Sequence, residues 1–288
     1  MTFRVLATGP LAVVCDLGRP GFAALGVSRS GAADRSAYRL GQRLIGQNDR
    51  AAALEVTFGG LVVRCEAPAW VALTGADAQA TLDGRAVGHG AAFPVLAGQE
   101  LTLGLPARGL RTYVSVRGGF DTPATLRSRS TDVLSGLGPA PLVVGDVLPV
   151  GAAGGDWAYA PVDFAPTAWP AGPGAIELSV TPGPRLDWIV GGLAALVGAS
   201  WVVSAESNRV GVRLTGPALS RREGLGELVS EPMVRGSVQI PPNGQPVVFG
   251  PDHPVTGGYP VVGVLTPEAS DRIAQARPGD EVRFINHR

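Results

Sequence analysis

Lysine is absent from the 288 residues, and all 24 basic side chains are arginine. Without lysine the chain cannot form a Schiff base with a carbonyl substrate or supply the lysine of a P-loop. We attribute this usage mainly to the coding bias of a GC-rich genome. Aspartate and glutamate together also number 24, so the formal net charge is zero. A chain without a basic field is not expected to bind nucleic acid.

Cysteine and histidine are scarce as well. Cys15 and Cys65 lie in apolar, strand-like segments without CxxC spacing, which predicts buried free thiols in a reducing, cytoplasmic compartment. With only His89, His253 and His287, no multi-histidine metal site is expected. The GxSxG, HExxH, GxxxxGK(S/T) and GxGxxG motifs are all missing, so the sequence does not support the enzyme classes that they mark.

One long run, residues 188–204, carries no charge. It is at the short limit for a membrane span, which needs roughly 17 residues or more, and glycines and serines interrupt it. We therefore predict a buried helix at about residues 186–196 and a buried strand at about residues 200–204, without a membrane span.

Glycine (41 residues) and proline (25 residues) are abundant and evenly spread, which predicts many short strands joined by turns. Helical patterns are confined to a few segments, among them residues 36–47, which Asp34 can cap, and residues 267–276. The predicted class is mainly β with a few short helices. We place a first β domain at residues 1–150, a connection rich in glycine, proline and alanine at 151–174, and a second β domain at 175–288.

The main candidate site lies in the second β domain, within residues 228–260. Two apolar strands lead there to a polar loop with a carboxylate, an imidazole, a hydroxyl and bare backbone, a combination that suits ligand binding. The loop residues are Asp252, His253, Thr256, Gly257, Gly258 and Tyr259. The alternative is a structured turn in which Asp252 caps backbone amides and Tyr259 packs in the core.

Three further groups of polar residues are candidates. Arg209 and Arg213, after Asn208, would share one face of an extended segment and clamp an anion, or they mark a charged strand end. Gln239 lies in an apolar strand. Its amide either contacts a ligand or forms its hydrogen bonds within the core. The loop at 125–132 is either an anion site or a self-capped turn held by Arg–Asp pairing. The spacing of its residues favours the turn. The candidates from these groups and beside them are Asn208, Arg209, Arg213, Gln239, Glu231, Arg117 and Arg129.

Ten segments, in order, resemble the allophanate hydrolase subunit 2 family, also called the biotin-dependent carboxyltransferase family. It includes the C-type subunit of bacterial 5-oxoprolinase, which this chain resembles most. The segments are SGAADRSAYRLGQRLIGQ, ALEVTFGG, VALTGADAQATLDG, VRGGF, RSRSTD, VVGDVLPVG, SNRVGVRLTG, GSVQIPPNGQPVVF, DHPVTGGYP and RPGDEVRF.

The resemblance implies two cyclophilin-like β-barrel units. It also implies a partner, the B-type subunit of 5-oxoprolinase, which is similar to allophanate hydrolase subunit 1. The B-type and C-type subunits would phosphorylate 5-oxoproline with ATP, with Mg as the expected ion, and the A-type subunit would open the ring to glutamate. The family also implies two alternatives: carboxyl transfer from carboxybiotin to urea or a related amide, and a non-enzymatic antagonist of a kinase inhibitor. Biotin could not be attached to this chain, because the chain has no lysine.

On the leading hypothesis, Asn208, Arg209 and Arg213 bind an anionic group of substrate or nucleotide. Asp252, His253 and Thr256 orient the reacting oxygen or a metal-bound phosphate, with Gln239 and Glu231 in support. Two positions depart from the family pattern. Pro232 stands where glycine is usual and removes a backbone donor, and Val255 stands where threonine is usual.

Overall fold

The computed structural model describes residues 1–153, 164–165 and 174–287. These residues form two compact units. The first consists of residues 1–19 and of the described residues from 30 to 165; the second consists of residues 20–29 and 174–287. Residues 20–29 thus cluster with the second unit, although the sequence division places them in the first domain. Most of the predicted connection at 151–174 lies outside the described residues.

Among its described residues, the first unit holds eleven strands and one helix. They are β1 (Thr2–Thr8), β2 (Leu11–Cys15), α1 (Arg35–Leu44), β3 (Ala53–Thr57), β4 (Leu61–Cys65), β5 (Ala69–Gly75), β6 (Thr81–Leu82), β7 (Arg85–Ala86), β8 (Ala92–Val95), β9 (Glu100–Thr102), β10 (Arg111–Val116) and β11 (Val147–Pro149).

Two antiparallel sheets carry these strands, in the orders β11-β1-β4-β9-β6-β7 and β2-β3-β10-β5-β8. Alternate side chains of both sheets meet in one apolar core; Val5 and Val63 come from the first sheet, and Leu54 and Val114 from the second. Cys65 belongs to this core, and Cys15 is buried in a smaller apolar cluster. Both cysteines are buried, as predicted, and neither forms a disulfide among the described residues.

Helix α1 covers the other face of the second sheet, which explains why every residue of β10 is buried. Asp34 caps α1 as predicted, because its carboxylate accepts from the backbone amide of Ala37 at 2.9 Å. Gly41 allows close approach to the sheet: a Cβ atom at that position would lie 2.5 Å from Oγ of Ser115.

The second unit is built around a closed barrel with the strand order β12-β19-β16-β17-β14-β13-β20. Its elements are β12 (Ile176–Pro182), α2 (Gly192–Val197), β13 (Ser200–Val203), β14 (Gly211–Thr215), β15 (Glu231–Pro232), β16 (Ser237–Gln239), β17 (Val247–Phe249), β18 (Thr256–Gly257), β19 (Val261–Leu265), α3 (Pro267–Ile273) and β20 (Glu281–Asn286), with β15 and β18 pairing as a separate two-stranded ribbon. The mainly β class with a few short helices is confirmed.

The continuous helix predicted at residues 186–196 is wrong. A 3-10 turn at Leu186–Trp188 is followed by the separate helix α2, because Gly191, the N-cap of α2, and Gly192, its first residue, have φ values of 76° and 54°. Left-handed backbone cannot continue a right-handed helix. Within the described residues, no helix is both long enough and apolar enough to cross a membrane.

Candidate functional site

A buried ion pair joins two of the candidate residues. The Arg209 guanidinium donates through Nε to Oδ2 of Asp252 at 2.8 Å and through Nη2 to Oδ1 at 3.2 Å. Both side chains are at most 1% exposed. The backbone amide of Asp252 also donates to the Arg209 carbonyl at 3.2 Å. Because each charge compensates the other away from water, the pair fixes the loop before β14 against the loop after β17.

His253 follows directly and is only 6% exposed. Its Nδ1 lies 2.7 Å from the Pro254 carbonyl oxygen, which can only accept, so Nδ1 carries the hydrogen. The neutral ring then has its acceptor at Nε2, the atom that would receive a proton. The Phe249 ring stacks on the imidazole, with centroids 6.0 Å apart and planes inclined by 23°.

The shared face proposed for Arg209 and Arg213 is not formed, because the chain turns at residues 208–210. The Asn208 side chain makes this turn: its Oδ1 accepts from the amides of Val210 at 2.8 Å and Gly211 at 3.3 Å. Arg209 therefore points into its buried ion pair, whereas Arg213 stands exposed on β14. Of the three residues, Asn208 and Arg213 are exposed and Arg209 is buried.

A second ion pair lies at the β15–β18 ribbon. Arg185 donates through Nε to both carboxylate oxygens of Glu231, at 2.9 and 3.0 Å, and through Nη2 to Oε1. The hydrogen bonds from Arg185 hold the pKa of Glu231 below its ordinary value. The Arg185 guanidinium also lies 5.9 Å from the ring centre of Trp188, and Arg221 lies 4.5 Å from that ring.

Gln239 and the residues of β18 form a third contact group. The Gln239 amide donates to the Tyr259 carbonyl at 3.1 Å, so this buried amide is satisfied within the fold. Gly257 lies against it, while Thr256, Gly258 and Tyr259 are exposed. Tyr259 is 45% exposed, which contradicts the alternative that it packs in the core.

An apolar cluster connects these groups. Phe249, which stacks on His253, packs together with Met233 and Val261. Met233 in turn approaches Gly257, because a Cβ atom at residue 257 would lie 3.0 Å from its Cε. The buried Arg209–Asp252 pair, His253 and the exposed ribbon therefore belong to one continuous region of the second unit, and we call it the ribbon site.

Arg117 and Arg129 lie in the first unit. The Arg129 guanidinium pairs with Asp121 at 2.5 Å, and its amide donates to Oδ2 of Asp16 at 2.7 Å. Arg117 is half-buried directly after β10, and its amide donates to the Trp70 carbonyl. The loop at 125–132 is thus held as a turn by the Arg129–Asp121 pair and by the contact with Asp16. This is the alternative that the spacing of its residues favours over an anion site.

No cluster of three or more His, Cys, Asp and Glu side chains that could hold a metal ion occurs in the part of the chain that the structure describes. Asp252 is engaged by Arg209 through both oxygens. A magnesium ion brought by a nucleotide would therefore depend mainly on phosphate and water oxygens, as is usual for this ion.

The family model described as the carboxyltransferase domain, subdomain A and B, matches residues 25–286. The chain belongs to this carboxyltransferase domain family. The C-type subunit of 5-oxoprolinase from Escherichia coli (strain K12) is 37% identical over 286 residues, which cover 98% of this chain and 90% of that protein.

Two solved structures superpose closely on this chain. The crystal structure of TTHA0988 has a TM-score of 0.86 and 33% identity, covering 99% of this chain and 55% of that one. The K. lactis urea amidolyase has a TM-score of 0.88 and 29% identity, covering 99% of this chain and 18% of that one. This carboxyltransferase-domain chain thus spans about half of the first protein and a smaller part of the second.

Sequence reasoning missed Arg185, Trp188 and Arg221. Arg185 is the only basic residue between Arg129 and Arg209, but its partner Glu231 lies 46 positions away, so no local pattern pointed to the pair.

A buried group in the first unit was also missed. The Tyr113 hydroxyl donates to Oε2 of Glu55 at 2.8 Å and accepts from the Asp34 amide at 2.7 Å. Arg111 lies 3.3 Å from the other Glu55 oxygen. Burial first, and then the Glu55 charge, raise the pKa of Tyr113, so the phenol stays protonated. The signal was Glu55 itself, a single charge inside an apolar strand.

Proposed function

We propose that this chain is the C-type subunit of an ATP-dependent 5-oxoprolinase, which converts 5-oxoproline, ATP and water to glutamate, ADP and phosphate. It would act with a B-type subunit in phosphorylating 5-oxoproline, and an A-type subunit would complete ring opening. The observation that carries the proposal is the match to the C-type subunit of the E. coli 5-oxoprolinase, which extends over 98% of this chain and 90% of that protein.

The chemical groups of the ribbon site support this proposal. Phosphoryl transfer depends on positioned donors and positive charge more than on a nucleophilic side chain. Thr256 and the Gly257–Gly258 backbone lie in the ribbon and offer donors, and we infer that Arg213, exposed on β14, contributes positive charge. His253 can accept a proton at Nε2. Arg209 and Asp252 are buried and bound to each other. We therefore propose that they position His253 and the adjoining loops and do not contact the phosphate directly.

Carboxyl transfer from carboxybiotin to urea or a related amide is the second candidate. It is favoured by the matching carboxyltransferase model and by the superposition on the K. lactis urea amidolyase. The biotin would be carried by another chain, because this one has no lysine for its attachment. The same exposed ribbon would then bind a carboxylate-bearing donor instead of a nucleotide.

The deciding experiment measures glutamate and ADP formed from 5-oxoproline and ATP by this chain mixed with its A-type and B-type partner subunits. Each protein is omitted in turn. We expect glutamate and matching ADP only when all three are present. Folded proteins that form no glutamate would contradict the proposal. Urea with a carboxybiotin carrier is then the next substrate pair, and carboxyl transfer there would establish the second candidate. Turnover with neither pair would favour the non-enzymatic antagonist.

A further inference from the structure

Phe249 lies on the outer side of the barrel wall, at the end of β17. Its neighbour Val248 belongs to the barrel core, and because successive side chains of a strand face opposite ways, the Phe249 ring points out of the barrel. The ring is nevertheless only 8% exposed, because Met233 and Val261 pack against it. Phe249 is therefore a large apolar side chain held on the outer face of the barrel by residues next to the ribbon.

The backbone that follows Phe249 is fixed against the loop before β14. The amide of Gly250 donates to the Val210 carbonyl at 2.9 Å, and the amide of Asp252 donates to the Arg209 carbonyl at 3.2 Å. A Cβ atom at residue 250 would lie 2.3 Å from the Arg209 carbonyl oxygen, so the two backbone segments are in direct contact. Side-chain contacts then decide how the imidazole at residue 253 is oriented.

Two contacts orient the imidazole of His253. The hydrogen bond from Nδ1 to the Pro254 carbonyl determines which edge of the ring faces the chain. The stacked Phe249 ring, inclined by 23° to the imidazole, limits rotation of the imidazole out of its plane. Pro254 is the next residue and moves with the same loop, whereas Phe249 belongs to a strand of the barrel. The stack therefore ties the plane of the imidazole to the barrel.

The state of Nε2 depends on both contacts. While Nδ1 donates to the Pro254 carbonyl, the hydrogen of the neutral ring stays on Nδ1 and Nε2 is the acceptor. An imidazole that tilts loses its alignment with that carbonyl, and hydrogen bonds weaken steeply as their angle decreases. The hydrogen then moves to Nε2 in a part of the molecules, and these molecules cannot accept a proton at that atom.

We propose that Phe249 is a positioning residue for His253. Its ring holds the imidazole in the plane and the tautomer that keep Nε2 as the proton acceptor. Phe249 is not a catalytic residue, because it acts on the reaction through the imidazole. That His253 accepts a proton during turnover rests on the proposed function. The orientation and the tautomer rest on the contacts of the two rings, and they are measured without turnover.

The tautomer of His253 is measured by NMR on the full-length chain with ¹⁵N in its histidine rings. The sequence has three histidines, at positions 89, 253 and 287, so the spectrum holds few signals, and those of His253 are assigned by their loss in H253Q. At about pH 8, where an unperturbed imidazole is neutral, we expect the wild-type ring to carry its hydrogen on Nδ1. In F249L the two ¹⁵N shifts should move toward each other, because the two tautomers mix.

F284L is the matched control, because it removes a ring that is 1% exposed from the other apolar cluster of the second unit. It should leave both ¹⁵N shifts of His253 unchanged. F249M replaces F249L if that variant does not fold, since methionine also fills apolar space without a ring.

Three outcomes of the NMR experiment would overturn the inference. The first is a wild-type His253 with its hydrogen on Nε2. The second is a pair of unchanged shifts in folded F249L or F249M. The third is an equal change of the shifts in F284L, which would assign the effect to a general loosening of the unit.

Kinetics of the assembled complex test whether this orientation serves the reaction. F249L should lower kcat for glutamate formation about 10-fold, with a smaller change in the KM for 5-oxoproline. Added to H253Q, it should cost little more, because Phe249 acts through an imidazole that is then missing. An unchanged kcat, or an equal loss in both backgrounds, would overturn the positioning role. A wild-type complex that forms no glutamate would instead refute the proposed function, while the tautomer measured by NMR would stand.

Discussion

Gly257 and Gln239 approach each other so closely that a side chain at residue 257 would force the Gln239 amide to move. A Cβ atom at residue 257 would lie 2.8 Å from Nε2 of Gln239, the atom that donates to the Tyr259 carbonyl. The same Cβ would lie 3.0 Å from Cε of Met233. The backbone of β18 is thereby held directly against the Gln239 amide.

The first prediction concerns this contact. G257A should lower the free energy of unfolding by about 1–3 kcal/mol, because Gln239 and Met233 must both move away from the new methyl group. G226A is the control, since a Cβ at residue 226 meets nothing within 4 Å. Urea denaturation of the two variants measures the difference. Equal stabilities would show that the ribbon adapts freely to a side chain at residue 257.

The second prediction concerns the buried Arg209–Asp252 pair. D252A should cost about 3–5 kcal/mol of stability, because it removes the buried carboxylate to which the Arg209 guanidinium donates through Nε and Nη2. The double variant R209M/D252L should be much less destabilised than the sum of the two single changes, since it buries neither charge. A thermodynamic cycle from urea denaturation tests this. Additive losses would mean that the two residues do not depend on each other.

The third prediction is a pH dependence caused by Glu231. Its pKa in the folded chain lies below the ordinary value of 4.5, mainly because Arg185 donates to it. The ionised carboxylate therefore stabilises the fold at pH values above 4.5, and this contribution is lost as the pH falls through the lower, folded-state pKa. The stability difference between wild type and E231Q should be larger at pH 7 than at pH 3.

Chemical denaturation at both pH values, with E227Q at an exposed position as the control, measures this effect. A difference that stays constant between pH 7 and pH 3 would show that the Arg185–Glu231 pair adds no pH-dependent stability.

The fourth prediction concerns the hairpin turn at residues 125–128. Leu126 and Arg127 both have positive φ angles, 52° and 65°, while Thr125 and Ser128 exchange backbone hydrogen bonds across the turn. Left-handed backbone costs about 1–2 kcal/mol for a residue with a Cβ atom. R127G should therefore raise the melting temperature, with a gain in stability of about 1 kcal/mol.

R127A is the matched variant for that turn, because it removes the same guanidinium but keeps the Cβ atom. We expect little gain from it. If R127A stabilised the chain as much as R127G, the effect would come from removing the charge and not from the backbone.

The fifth prediction tests His253 in the proposed reaction. H253Q should lower kcat of the assembled complex about 10²-fold, because glutamine cannot accept a proton as the imidazole does at Nε2. H287Q, at an exposed position, is the control. Turnover of H253Q near the wild-type value would remove His253 from the proposed proton transfer.

Local patterns predicted the elements that depend on neighbouring residues. The helix after Asp34 and its cap could be identified because capping is a contact over three positions. The turn made by Asn208 shows the limit of such patterns. An extended segment and an Asx turn are both compatible with Ser-Asn-Arg, and only the hydrogen bonds to Val210 and Gly211 distinguish them. The predicted shared face of Arg209 and Arg213 assumed the extended segment, whereas the chain forms the Asx turn.

The sequence by itself determined the mainly β class, the short capped helix α1, the absence of lysine chemistry and the membership in a carboxyltransferase domain family. These properties follow from the composition, periodicity and motif order, all of which can be read from the sequence without knowing which distant residues meet. The tertiary structure decided which charges pair: Arg209 with Asp252, 43 positions away, and Arg185 with Glu231, 46 positions away. The pairing and burial of such groups depend on how distant strands fold together, which no local pattern specifies.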